Sequence, residues 1–374
     1  MLLLLEFSPK SLDMASFKSW KGIPINEIDR PKPETNMSRP LKMSIVIPTR
    51  DRQKDLADLL RTILDQDYLP FEVIVVDDSE ESTAKQVVDL FKSNFVKIGC
   101  ELIYVKGSGE GLPAARNLGV KVCRGDVIFF LDDDMLLEKD TVRNLISFFE
   151  DNPKALGVQP RILPFSPTIT NNKSRLGIKF ENAVYKALML TYTTKDKQKI
   201  RRSGADIFPN NLKYAINAQR LSGCCCYKRK IFEEYRYDEN LKLWGFMEDF
   251  DFSYRVYKKY PQSLYVIPNA RVIHKSSTSG RLPLQQRIQM MTIYWFYVFF
   301  KDVFEGSPLN LGAFLIALLG NFVVKVGSII VKRKAKSEVW SLFYLLESYI
   351  LSFKHLKEII SLRLDFFNNK LPKV

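Results

Sequence analysis

The chain has 374 residues, with 56 Lys and Arg against 42 Asp and Glu, a formal charge of +14. With 46% hydrophobic, 26% charged and 12% aromatic residues, it is not disordered, collagen-like or a coiled coil. Five cysteines, three of them consecutive at Cys224, Cys225 and Cys226, are too few for a secreted disulfide framework and imply free thiols in a reducing compartment. With only two histidines, His274 and His355, any metal must be held largely by oxygen, which favours Mg²⁺ or Mn²⁺.

Residues 1–40 read as a loosely packed, Pro-containing arm. The MLLLL start has no preceding basic residue and no following cleavage site, so it does not read as a signal peptide. From 41 to 151 the pattern alternates. Met43–Pro48 is an apolar run ended by proline, as in a strand buried on both faces. Asp55–Leu64 has helical spacing, Glu72–Val76 is a second buried strand, and residues 82–96 are helical again. Leu102–Val105 is a short strand, Leu112–Val122 a helix, and Asp126–Leu131 a strand that runs into Asp132, Asp133 and Asp134. Such alternation predicts a doubly wound, mostly parallel sheet with helices on both faces.

In that architecture ligands bind beyond the carboxyl ends of the strands. Thr49, Arg50 and Asp51, then Asp77, Asp78 and Ser79, then the three aspartates all fall there. Carboxylates gathered in one crevice repel one another unless a cation or a donor-rich ligand is present. The plainer alternative for Asp77 and Asp78 is helix capping and turn formation. An Asp-x-Asp at a strand end can hold a divalent cation and leave positions for phosphate oxygens.

The next region, 152–280, carries Leu221-Ser222-Gly223-Cys224 and then Trp244-Gly245-Phe246-Met247-Glu248-Asp249. The following helix is expected to open at Ser253, Tyr254 and Arg255. A carboxylate at 248–249 is placed to deprotonate an incoming hydroxyl. Leu264–Ile267 and Val272–His274 read as strands separated by Pro268. No phosphate-loop motif and no dinucleotide fingerprint is present.

Residues 281–374 form a hydrophobic helical region. Ile288–Phe300 is almost wholly apolar, and Leu309–Val331 is a 23-residue stretch with one charge, Lys325. A basic cluster at 332–336 and an amphipathic run from Trp340 to Phe353 follow. Aromatic residues interleaved with apolar ones beside a basic cluster fit a helix in an anionic membrane interface. A true span and a buried helical cap or dimer surface are the alternatives.

Taken in order, SIVIPTRDR, VIVVDDSEE, GLPAARNLG, FLDDDM and GFMEDFDFSYR resemble the blocks of the inverting, non-processive GT-A glycosyltransferases of family 2. The resemblance covers about 43–276. It implies a Rossmann-like GT-A domain over 41–280, with a nucleotide-binding half at 41–151 and an acceptor-binding half at 152–280. It places Pro48, Thr49, Arg50 and Asp78 around the base and ribose, and Arg116, Asp132, Asp133, Ser222, Gly223 and Trp244 at the donor. Asp134, with Asp132 and His274, would hold Mg²⁺ or Mn²⁺. Asp249 would be the base, with Glu248 beside it. Arg116 reads equally as a structural arginine, and His274 equally as a surface or core histidine.

The implied partners are a UDP-, dTDP- or GDP-linked sugar and a glycan or lipid-linked acceptor at the cytoplasmic face of a membrane, with no nucleic acid. The processive QxxRW block is absent, since Gln285-Gln286-Arg287 is followed by Ile288. A nucleotidyltransferase acting on sugar phosphates, or a membrane scaffold with a degenerate transferase domain, are the competing readings.

Overall fold

The apolar run that opens the alternation forms strand β1, Met43–Thr49, at the centre of the sheet, and every residue of it is buried. The structure is a computed structural model that describes residues 40–165, 175–277, 282–332 and 336–371; the expected arm at 1–40 lies outside them but for Pro40. Alternate β1 residues point to opposite layers. Ile45 and Ile47 enter one core, and Val46 enters another. That is why the strand reads as continuously apolar rather than alternating.

Helix α1 (Gln53–Leu64) buries Leu56, Leu59, Leu60 and Ile63 against the first layer. Strand β2 (Glu72–Asp77), helix α2 (Thr83–Lys97), strand β3 (Glu101–Lys106), helix α3 (Leu112–Val122) and strand β4 (Val127–Phe130) follow. Strands β3, β2, β1 and β4 are adjacent and parallel. Residues 43–130 thus carry the predicted elements, with ends moved by a residue or two.

Past β4 come strand β5 (Met135–Leu137), helix α4 (Thr141–Asp151), strand β6 (Gly157–Pro164) and helix α5 (Arg175–Ala187). Strands β7 (Tyr192–Thr194), β8 (Lys199–Ile200) and β9 (Asp206–Pro209) make a separate three-stranded sheet. Strands β10 (Ile216–Asn217), β11 (Cys225–Lys228) and β12 (Leu264–His274) extend the main sheet in the order β10-β12-β6-β11-β4-β1-β2-β3, with β5 paired to β12. Strand β11 runs antiparallel to β4 and β6, so the sheet is parallel at its core and mixed beyond. Cys225 and Cys226 pair in register with Phe130 and Phe129, and all five cysteines are free and buried.

Two boundaries differ from expectation. Pro268 does not separate a pair of strands. Strand β12 continues through it, with the register shifting between Ile267 and Arg271, a bulge of the kind that accommodates proline. Helix α6 begins at Glu248 and ends at Lys259, so it opens ahead of the expected start at Ser253. Its first turn carries Glu248, Asp249 and Asp251, which suit the positive end of the helix dipole.

The C-terminal helices are α7 (Leu284–Val298), α8 (Pro308–Lys332), α9 (Lys336–Lys354), α10 (Leu356–Ile360) and α11 (Asp365–Asn368). Buried Phe296, Phe299, Phe314 and Phe367 join them in a third core with Leu243 and Phe250 of the sheet-bearing region.

Candidate active site

A buried guanidinium links the turn after β4 to the start of α6, and Thr49 at the end of β1 bonds to the same turn. Arg116 of α3 is fully buried, contacts Glu248, and donates from Nη2 to Asp132 at 3.0 Å. The rings of Phe130 and Tyr237 lie 5.8 and 5.3 Å from its guanidinium carbon. Burial opposes its charge, yet Glu248, Tyr237 and Asp132 more than restore it, so Arg116 is held well above its ordinary pKa. Burial pushes the Glu248 carboxyl well up, with the Arg116 charge opposing. Arg116 is therefore a strut tying the Asp132 turn to the first turn of α6, which is the structural alternative left open for it.

The three aspartates divide their work. Asp133 accepts from Thr49 Oγ1 at 2.7 Å and from Arg52 Nη1 at 3.1 Å, and is buried. Burial, against the pull of Arg52 and Thr49, pushes it up to about 7. Asp134 lies 3.4 Å from His274 Nε2 and 3.6 Å from Arg52 Nη1, and its Oδ2 accepts from the Ser277 amide at 3.0 Å. Burial would raise Asp134, but His274, Arg52 and the Ser277 N–H outweigh it and hold the carboxyl below its usual value.

The three expected metal ligands are not brought together as one cluster. Asp134 and His274 approach each other, whereas Asp132 is drawn to Arg116. Among the described residues no three His, Cys, Asp or Glu side chains form a metal group. One carboxylate and one imidazole nonetheless suit a divalent cation whose remaining positions are filled by diphosphate oxygens and water. The donor set fits on those terms.

Asp249 is partly exposed and faces Arg220, whose Nη1 donates to its Oδ2 at 3.4 Å. Arg220 is buried and also lies 3.1 Å from Asp206 of β9. Ser222 donates its amide to Gln159 at 2.7 Å. A Cβ on Gly223 would stand 2.7 Å from Arg116 Nη2, so the glycine admits the strut.

Asp78 is buried and accepts from the amides of Gly109 and Gly111 at 2.8 and 2.9 Å, so it also shapes the glycine-rich loop. Gly111 has φ +99° and lies against the Leu243 backbone, a place that tolerates no side chain. Asp77 takes the capping role, accepting from Ser79 and from the Ala84 amide of α2. Pro48 is buried in β1, while Arg50 is exposed beside Asp51 at 3.7 Å. Trp244 is half-buried in the third core. Sequence reasoning leaves Arg52, Gln159, Asp206 and Arg220 without a role. Arg52 sits within a quoted block. Nothing in local spacing marks the other three.

The model of the family described as Glycosyl transferase family 2 matches residues 44–236, just over half of the chain. The chain belongs to glycosyl transferase family 2. It is 28% identical over 150 residues to the poly(ribitol-phosphate) beta-N-acetylglucosaminyltransferase TarS of Staphylococcus aureus, covering 36% of this chain and 26% of that protein. It is 28% identical over 126 residues to the glucosyl-dolichyl phosphate glucuronosyltransferase of Haloferax volcanii, covering 33% of this chain and 39% of that one. The aligned segment is thus well under half of either relative. The crystal structure of Staphylococcus aureus TarS 1-349 in complex with UDP-GlcNAc superposes with a TM-score of 0.51 at 14% identity, covering 88% of this chain and 85% of that one. That likeness shows the GT-A fold.

Proposed function

We propose that this glycosyltransferase moves one sugar, with inversion, from a nucleoside-diphosphate sugar to a hydroxyl of a glycan or lipid-linked precursor at the cytoplasmic face of a membrane. In this reading 41–151 binds the donor, 152–280 presents the acceptor, and 281–374 associates with the membrane. One observation carries it. Arg116 spans Asp132 and Glu248, near neighbours in the chain of Asp134 and Asp249, which supports reading the Asp134–His274 pair and Asp249 as parts of one site.

Asp134 and His274 would hold Mg²⁺ or Mn²⁺, which when bound neutralises a departing diphosphate. Asp249, on the first turn of α6, takes the acceptor proton as the hydroxyl attacks the anomeric carbon. Arg220 holds that carboxylate in place. Asp132 and the Ser222–Gly223 backbone border the donor sugar, while Pro48, Thr49 and Asp78 form the wall for the base and ribose. The UDP-GlcNAc in the TarS complex favours a UDP-linked donor over dTDP- or GDP-linked ones. The polymer phosphate and dolichyl phosphate in the relatives' names favour a phosphate-bearing acceptor.

Calorimetry with UDP, dTDP and GDP, each with and without Mn²⁺, tests this. UDP is expected to bind, and Mn²⁺ to strengthen binding in the native protein but not in Asp134→Ala. Equal binding by both proteins with Mn²⁺ would remove Asp134 from the metal role.

A further inference from the structure

Helix α9 buries four polar side chains against one apolar side chain, Leu345. Glu338, Ser341, Ser348 and Ser352 are buried, while Val339, Phe343, Leu346, Ile350 and Phe353 are exposed. Those five apolar residues follow one another at steps of four, three, four and three, so they form one stripe along the helix. Trp340 is exposed at its start and Ile360 of α10 beyond its end. Helix α8 is apolar on both sides, burying Ala313, Phe314, Ala317 and Leu318. Asn321 is buried, whereas Leu315, Ile316, Leu319, Val323 and Ile330 face outward. Exposed apolar surface of this extent marks a docking site rather than a free surface.

The inward faces of both helices are fixed to the protein. Phe314 of α8 stacks on Phe299 at 4.0 Å and meets Trp295 and Phe296 of α7 edge-on. Tyr349 of α9 packs on the same Phe296, which the half-exposed Phe353 at the margin of the stripe also touches edge-on. Tyr349 also donates to the Leu318 carbonyl at 2.9 Å, and Lys325 pairs with Glu338 at 3.6 Å. In mid-helix, Gly320 abuts Leu188, just past α5. A helix so clamped along its middle is not surrounded by lipid, although Pro308–Ile330 is long and apolar enough to cross a membrane. Helices α8 and α9 pack on each other, and each leaves its run of apolar side chains uncovered.

From this geometry we infer that α8 and α9 lie flat in the interface of an anionic bilayer, apolar stripes inward, and do not cross it. This deepens the membrane-face element of the function proposed above and rests on it. Charge selects the occupant. In the sequence Lys332, Arg333, Lys334 and Lys336 follow the apolar run of α8, exposed Lys354 and Lys357 follow the stripe of α9, and the chain carries +14. Two such copies face to face would repel, whereas anionic headgroups would neutralise the cluster. Trp340 suits the headgroup level.

The test is sedimentation of the full-length protein with phosphatidylcholine vesicles, with and without phosphatidylglycerol. The native protein should pellet with the anionic vesicles and be released by alkaline carbonate. F343E/I350E on α9, and separately L319E on α8, should each lower partitioning by roughly tenfold or more. These positions are exposed, and an unchanged melting temperature reports that the variants fold. Failure of the native protein to pellet, undiminished pelleting of both variants, or resistance to carbonate overturns the inference. So does a native dimer that the substitutions dissociate without changing vesicle binding. Nucleoside-diphosphate binding, measured on the same samples, separates the two claims. Lost partitioning with intact nucleotide binding overturns the flat-helix inference alone; intact partitioning without nucleotide binding overturns the donor assignment alone.

Discussion

Arg220 and Asp249 form a charged pair at 3.4 Å, and the same guanidinium is shared with Asp206, 3.1 Å from its Nε. Arg220 is buried, and although burial works against its charge, Asp206 and then Asp249 raise its pKa above the ordinary value. Burial pushes Asp206 up, with Arg220 opposing. Removing the guanidinium leaves two nearby carboxylates without a counter-charge. Arg220→Met should therefore cost about 3–5 kcal/mol of stability, the usual penalty for breaking a buried pair from one side. Arg220→Lys keeps the charge and should recover much of that loss. Urea unfolding of the two variants measures both, and equal stability of Met and Lys would show that the charge is not what matters.

The candidate base makes a sharper kinetic prediction. Asp249→Asn keeps the shape of the side chain and its place beside Arg220 but removes its basicity. Turnover should fall by about 10²–10⁴-fold, the range for a lost general base. Binding of the donor nucleotide by calorimetry should stay unchanged, because Asp249 sits on α6 rather than on the strand ends expected to hold the nucleotide. A fall in nucleotide affinity parallel to that in turnover would reassign Asp249 to donor binding.

A packing test follows from Gly223. Its missing Cβ would lie 2.7 Å from Nη2 of Arg116, which is fixed by Asp132 and Glu248 and cannot retreat. Gly223→Ala should destabilise by about 1–3 kcal/mol, as overpacking does, and lower turnover by displacing both carboxylates. A variant with native stability and native turnover would show that the strut yields.

How far the sequence reaches depends on whether a signal is local. Strands β1, β2 and β4 are legible because burial on both faces leaves unbroken apolar runs ending in polar residues. The start of α6 is hidden because Glu248 and Asp249 read as loop carboxylates, although acidic residues in a first turn are also a helix signal. Pro268 looks like a strand end because a bulge is invisible without the partner strand β6. The sharing of Asp132, Asp133 and Asp134 among Arg116, Arg52 and His274 depends on side chains far apart in sequence. Asp206 and Arg220 are out of reach for the same reason, since β9 belongs to a different sheet from the one that supplies the site.

Asp302 sets a pH dependence outside the active site. It is buried just past the end of α7 beside Asp251, with Lys301 and Lys258 as opposing cations. Burial first, and then the Asp251 carboxylate, push it from an ordinary 3.8 up to about 8. Between those values the folded protein holds a proton that the unfolded chain has released. The stabilisation is complete below 3.8 and is lost as pH rises through 8. Asp302→Asn cannot ionise and lacks this slope. The melting temperature of the variant minus that of the native protein should therefore climb between pH 4 and 8 and level off above. Titrating groups that do not touch Asp302 contribute to both proteins and cancel in the difference. Thermal unfolding across that range checks it, and a flat difference would mean that Lys301 keeps Asp302 ionised throughout.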